Sequence, residues 1–177
     1  MFTGIIQAKG NIEEIRISNK GAVFVLNSNS LELSDVSIGD SIAVNGVCLT
    51  ITQLDKNSFS ADVSQETLNC TTFSQLKKDQ NINLEKSLRL NQGIDGHLVS
   101  GHVDGVGEVV SLQKEGESTR LKIKVKNDLS KYIAKKGSIC INGVSLTVNS
   151  VEADIFDVNI VPHTLSVTTL GLSLIHI

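Results

Sequence analysis

Asn45-Gly46-Val47-Cys48-Leu49-Thr50 returns later in the same chain as Asn142-Gly143-Val144-Ser145-Leu146-Thr147, an offset of 97 residues. Asn-Gly between two apolar runs is a strong hairpin signal, because both residues tolerate positive φ. The same offset carries Gly4 onto Gly101, Gly10 onto Gly107, Ser41-Ile42 onto Ser138-Ile139 and Phe59 onto Phe156. It also carries Thr67-Leu68 onto Thr164-Leu165 and Thr71-Thr72 onto Thr168-Thr169. From residue 41 to 73, 12 of 33 ungapped pairs are identical, where chance would give about 2. A period this long exceeds a solenoid unit and marks a duplicated domain. The repeat divides the chain into residues 1–96 and 97–177.

Outward from the hairpin, each copy reads as strands. In the first, Phe2 to Ala8 is expected to form a strand ending near Gly10, and Ala22 to Leu26 a second. Ser41 to Val44 enters the hairpin, Val47 to Leu54 leaves it, and Phe59 to Val63 and Asn81 to Leu84 complete the set. Ser64 to Leu68 reads as a short helical turn and Leu31 to Asp35 as another. Many Val, Ile and Thr, a single Pro and 14 Gly suit pleated strands joined by tight turns. The expected fold is all-β: two tandem six-stranded antiparallel Greek-key-like barrels related by pseudo-two-fold symmetry, since closure removes exposed edges. The match between copies stops at Leu170-Gly171, and residues 171–177 form an anomalous tail. The counterpart of the strand at Asn81 would begin beyond Ile177, so the second barrel is expected to be incomplete at its C-terminal end. A truncated or misread gene end is one explanation, a deliberately shortened barrel the other.

Composition narrows the function. With 40% hydrophobic and 20% charged residues over 177 positions, the chain is globular rather than disordered. A net charge of −3 leaves no basic excess for a phosphate backbone. No apolar run approaches the roughly 20 residues of a membrane helix. Met1-Phe2-Thr3-Gly4-Ile5-Ile6 lacks the basic flank and apolar core of a signal peptide, so the cytoplasm is the expected location. Cys48, Cys70 and Cys140 are odd in number and show no C-x-x-C spacing, which argues against a disulfide framework and a zinc site. His97, His102, His163 and His176 show no H-E-x-x-H arrangement, and the Gly-rich phosphate loops are absent.

The chemistry is expected where the copies differ inside matched segments. Cys48 becomes Ser145, Ile5 becomes His102 and Glu66 becomes His163. Two similar pockets carrying different polar groups would suit two copies of one ligand in two chemical roles; drift between two structural domains is the plainer reading. His102 could be a satisfied strand histidine, Ser145 a hairpin cap and Lys136 a solvated turn lysine. His97 and His102 are five apart, so on a strand they would face opposite sides and could not share a metal.

Taken with Met1-Phe2-Thr3-Gly4-Ile5-Ile6 and the two Asn-Gly-Val hairpins, Gly96-His97-Leu98-Val99-Ser100-Gly101-His102-Val103-Asp104-Gly105 and Val161-Pro162-His163-Thr164-Leu165 resemble the duplicated β-barrel riboflavin synthase family. The resemblance spans residues 1–171. It implies an enzyme that takes two molecules of 6,7-dimethyl-8-ribityllumazine, moves a four-carbon unit between them, and yields riboflavin and 5-amino-6-ribitylamino-uracil. It implies no metal or cofactor, one lumazine per barrel, and a homotrimer whose site forms between the first barrel of one subunit and the second barrel of a neighbour. Family members continue with a last strand and a helix that joins the trimer, so assembly and turnover of this chain are expected to suffer.

Carried over residue by residue, the first pocket holds Gly4, Ile5, Ile6, Cys48, Leu49, Thr50 and Asp62-Val63-Ser64-Gln65-Glu66-Thr67. The second holds Gly101, His102, Val103, Lys136, Ser145, Leu146, Thr147 and Asn159-Ile160-Val161-Pro162-His163-Thr164. His102 is the candidate base for the acidic C7 methyl of lumazine. Cys48 and Ser145 are candidates to add to, or hydrogen-bond, the reacting ring, with Cys48 facing one ring and His102 and Ser145 the other. Thr147 and Phe2 complete the candidate catalytic set. The competing reading is a non-catalytic lumazine- or flavin-binding antenna protein of the same fold; the retained His102, Ser145, Thr147, Pro162 and Thr164 favour the enzyme.

Overall fold

The computed structural model describes residues 1–172 of the chain. In the first half, β1 (Ala8–Ser18), β2 (Gly21–Asn27), β3 (Ser41–Val44), β4 (Val47–Leu54), β5 (Ser58–Ser64) and β6 (Asn81–Lys86) are strands, with α1 (Gln65–Cys70) after β5. They close into an antiparallel barrel of order β1-β2-β5-β4-β3-β6. Closure runs through β6, whose Leu84 lies opposite Ala8 on one side and Val44 on the other. Period-two alternation points Phe24, Leu26, Ile42, Val44, Ile51, Phe59 and Leu84 inward, all fully or almost fully buried. Phe73, beyond α1, plugs one end, its ring 5.3 Å from that of Phe24.

The second half repeats this with β7 (Glu108–Glu115), β8 (Ser118–Lys124), α2 (Asn127–Ser130), β9 (Ser138–Ile141), β10 (Val144–Glu152), β11 (Ile155–Ile160) and α3 (Pro162–Val167). The sheet order β7-β8-β11-β10-β9 is the first barrel's order without its sixth strand. Among the described residues, β7 and β9 are therefore open edges. The repetition extends to irregularities. A β-bulge between Ile12 and Glu14 recurs between Val109 and Ser111, and one between Ile51 and Gln53 recurs between Val148 and Ser150. Asn45 and Asn142 both have φ of 47°, followed by Gly46 at 82° and Gly143 at 84°, as the hairpin requires.

Two local expectations fail. Phe2 to Ala8 is not a strand; Phe2 makes one isolated bridge to Val99, and β1 begins at Ala8. The bulge at Ile12/Glu14 and the polar residues Glu13, Glu14 and Arg16 hide the alternation that marks β1. Leu31 to Asp35 forms no helix but a turn-rich segment whose Leu31 and Leu33 drop into the core. No helix among the described residues is long and apolar enough to cross a membrane.

The halves meet about their hairpin tips. A Cβ on Gly46 would lie 2.7 Å from the amide nitrogen of Gly143, and one on Gly143 2.9 Å from that of Gly46, so only glycine permits the approach. Asn83 of β6, wholly buried, locks the contact: its side chain donates to the Asn142 carbonyl and accepts from the Thr169 amide, both at 2.8 Å.

Candidate functional site

The segments preceding β1 and β7 cross the pseudo-two-fold axis and lie on the opposite half's hairpin. Ser145 donates its backbone N–H to the Gly4 carbonyl at 2.7 Å, and Cys48 donates its own to the Gly101 carbonyl at 2.9 Å. Gly4 (φ 77°) and Gly101 (φ 79°) are buried left-handed residues. A Cβ on Gly4 would lie 2.7 Å from the Cβ of Ser145, and one on Gly101 2.6 Å from the Cβ of Cys48. This corrects the expected grouping. Gly4, Ile5 and Ile6 belong with Ser145, and Gly101, His102 and Val103 with Cys48, so within one chain His102 and Ser145 serve different sites. Pairing across the axis is tertiary and leaves no trace in residue spacing.

At the Cys48 site, half-buried Cys48 lies beside Gly101, with His102 and Val103 exposed next in the chain. β4 and β5 pair through Ile51 and Ala61, so Thr50 and Asp62 leave the ladder as exposed neighbours, while Leu49 and Val63 turn into the core. Ser64 caps α1 by accepting from the Thr67 amide at 3.1 Å, and Gln65 bonds Asn69 one turn on. Glu66 accepts from the Cys70 thiol at 3.0 Å, and this bond pushes the Cys70 pKa up.

At the Ser145 site, Leu146 and Ile6 pack on the second core, while Ile5 and Thr147 are exposed. Val148 pairs with Val158, which places Thr147 beside Asn159 as Thr50 stands to Asp62. Asn159 is engaged on the surface with Asn149, Glu115 and Ser118. Ile160 is buried, Val161 is exposed at the start of α3, and Pro162 sits in its first turn, where its missing N–H costs nothing. His163 is exposed and Thr164 half-buried. Lys136 is exposed with φ of 66°, and its backbone N–H donates to Val148.

Three residues take places that sequence reasoning did not assign. His97 brings Nδ1 to 2.7 Å from the Ser145 hydroxyl and donates its backbone N–H to Thr3. Burial lowers its pKa, which favours the neutral imidazole. The strand geometry assumed for His97 and His102 does not hold, because residues 97–107 carry only the Val99 bridge. Phe2, expected among the activity-determining residues, is wholly buried in a cluster with Ala43, Val99, Cys48 and Cys140, where it anchors the N-terminal segment. The Cys140 thiol is pushed up to about 12 by burial and then by the nearby Glu85 charge, which keeps it protonated and inert.

A cleft of about 610 Å³ runs beside β9 and is lined by residues 97–107, Ile139, Ile141, Tyr132 and Phe156. It takes in Gly101, His102 and Val103 but not Cys48, Thr50 or α1. It lies along the open side of the second sheet, where β6 lies in the first half, and is not itself either paired site.

The comparisons assign this duplicated all-β chain to the class of lumazine-binding proteins. The lumazine binding domain family model matches residues 3–87 and again 100–174. Riboflavin synthase of Photobacterium leiognathi is 47% identical over 96% of this chain and 78% of its own length. The corresponding values for riboflavin synthase of Bacillus subtilis are 39%, 95% and 78%. Among solved structures, LumP complexed with 6,7-dimethyl-8-(1'-D-ribityl) lumazine superposes with a TM-score of 0.86 at 27% identity, covering 99% of this chain and 94% of that one. The chain belongs to the riboflavin synthase family and is an enzyme of that activity.

Proposed function

We propose that the chain catalyses the dismutation of two 6,7-dimethyl-8-ribityllumazine molecules, one bound by each barrel with the crossing segment of the other half beside it. The observation that supports this is the pair of crossed sites: the same backbone bond, Gly carbonyl to residue 48 or 145, made twice with different side chains beside it. A reaction between two copies of one substrate needs two pockets alike in shape and unlike in chemistry. One lumazine loses a C7 methyl proton and attacks the other; the four-carbon unit passes across, leaving 5-amino-6-ribitylamino-uracil and riboflavin. The carbanion is delocalised into the pteridine, so the step calls for a modest base and close orientation rather than a metal or cofactor.

In this reading His102, beside the Cys48 site, takes the methyl proton. Ser145, its hydroxyl held by neutral His97, hydrogen-bonds or adds to the second ring; Cys48 and Thr147 contact the rings, and the segments Asp62–Thr67 and Asn159–Thr164 complete the two pockets. In the family's homotrimer the reacting pair would be drawn from facing sites on two neighbouring subunits, and the expected location is the cytoplasm. Incubation of the purified protein with the lumazine, followed by flavin absorbance, tests the activity. Riboflavin formation at two lumazines consumed per flavin is expected. A retained fluorescent lumazine with no flavin formed would identify an antenna protein instead. Sedimentation velocity checks the assembly.

A further inference from the structure

We propose that Glu85, on β6 of the first half, is the positioning residue of the lumazine site at Ser145 in the second half. The inference rests on the two-site reading above.

β6 alternates Ile82 and Leu84, which face the barrel core, with Asn83 and Glu85, which face outward. Outward on this strand does not mean solvent, because the second half and the N-terminal segment cover it. Glu85 is 3% exposed. Among the described residues it has no cationic partner; its carboxylate instead takes three hydrogen bonds from one short stretch. Oε1 accepts from the Thr3 amide at 2.7 Å and from the Thr3 hydroxyl at 2.8 Å, and Oε2 accepts from the Gly4 amide at 3.0 Å. Two successive backbone amides ending in a left-handed glycine form a small anion cradle, here filled by the protein's own carboxylate.

Gly4 is thereby gripped on both sides. Its N–H is held by Glu85 and its carbonyl by the Ser145 amide. Thr3 is gripped likewise, since its carbonyl accepts from His97, whose ring holds the Ser145 hydroxyl. One carboxylate thus orients the two carbonyls that set Ser145, His97 and the exposed Ile5. The Cys48 site shows no such device among the described residues. Ser100, the counterpart of Thr3, is exposed, and its hydroxyl only accepts from the His102 amide at 3.2 Å. The first half therefore supplies the rigidity of the second half's site.

The test is Glu85→Gln in the full chain. The carboxamide keeps the shape but offers one acceptor oxygen where the carboxylate offers two, so at least one Thr3 or Gly4 donor faces an N–H. Riboflavin is titrated into ¹⁵N-labelled protein, and the Ser145 and Cys48 amide resonances report the two sites separately. The expected result is a Kd raised about 10-fold at Ser145, consistent with loss of a charge-assisted bond, with less than a twofold change at Cys48. Equal weakening at both sites, or no change at either, would overturn the proposal. A wild-type protein showing fewer than two binding events would instead overturn the two-site reading on which it rests. If Glu85→Gln does not fold, Thr3→Val removes one of the three donors while leaving the carboxylate. It should weaken Ser145 selectively by about threefold, and an even effect on both sites would again overturn the proposal.

Discussion

The same strand order, bulges and hairpin yield a sealed barrel in one half and an open sheet in the other, and the difference measures what one strand does. With β6 in place, nineteen buried apolar residues form the first core; the second has nine among the described residues. Positions that match at the 97-residue offset make the point. Ile12 and Ile42 are wholly buried, while their counterparts Val109 and Ile139 are only partly so. The sixth strand covers the core from both ends of the sheet, whereas among the described residues β7 and β9 have no partner on their outer sides. The halves also differ in charge: where the first has Val23, Ser60 and Gln53, the second has Arg120, Asp157 and Ser150, a bidentate ion pair at 3.0 and 3.1 Å completed by the Ser150 hydroxyl.

Separating the halves should expose the contrast most. Residues 1–96 expressed alone are expected to unfold cooperatively and to bind riboflavin more weakly than the full chain, for want of the Gly101-His102-Val103 segment beside Cys48, whereas residues 97–177 should bind a hydrophobic dye and show no sharp transition by calorimetry. A cooperative second half would break the comparison. Next, equivalent core truncations sharpen it. Phe59→Ala should cost about 4 kcal/mol in denaturant unfolding, and Phe156→Ala, beside the open cleft, nearer ~2 kcal/mol. Equal losses would mean the two cores are equally well packed.

The polar differences should have smaller effects. His102→Gln is expected to lower turnover roughly 10- to 100-fold with riboflavin affinity little changed. Unchanged steady-state rates would remove His102 from the chemistry and leave orientation as the main catalytic contribution. The smallest effect concerns acid. Burial pushes the Asp157 carboxyl up, but the Arg120 and Ser150 hydrogen bonds outweigh it and hold the pKa below the usual value. A folded carboxyl with a depressed pKa stabilises above its unfolded value, near about 4, and that stability is lost as pH falls through the folded value. Acid should therefore loosen the second sheet before the first, and Asp157→Asn should flatten that dependence when near-UV signals are followed against pH. The neutral Ser60–Gln53 pair should confer no comparable slope on the first half.

Much of the fold was legible because alternation and turn chemistry act locally. The hairpin strands at Ser41–Val44 and Val47–Leu54 stand where the Asn-Gly signal put them, and α1 follows its Ser64 cap. β1 was displaced because a bulge breaks the period on which such a reading depends, and Leu31–Asp35 was misread because its leucines are buried by a loop rather than a helix. At the candidate site, the divergence of Cys48 from Ser145 and of Ile5 from His102 is written in the sequence, but which segments meet across the axis is not. The place of Glu85 is hidden for a related reason: on a strand with Ile82 and Leu84 facing inward, an acidic residue reads as solvent-facing.

By itself the sequence determined the duplication, the all-β class, the place of both hairpins and the residues at which the copies diverge. Each of these rests on residue order and spacing repeated at a fixed offset, which turn chemistry and alternation express locally in the backbone. The tertiary structure alone decided that the N-terminal segments cross the axis, that Gly4 meets Ser145 while Gly101 meets Cys48, that His97 holds the Ser145 hydroxyl, and that a carboxylate on the first barrel orders the second site. These depend on how two half-sheets pack around touching glycine tips, where residues tens of positions apart come within hydrogen-bond distance and no periodicity records the approach.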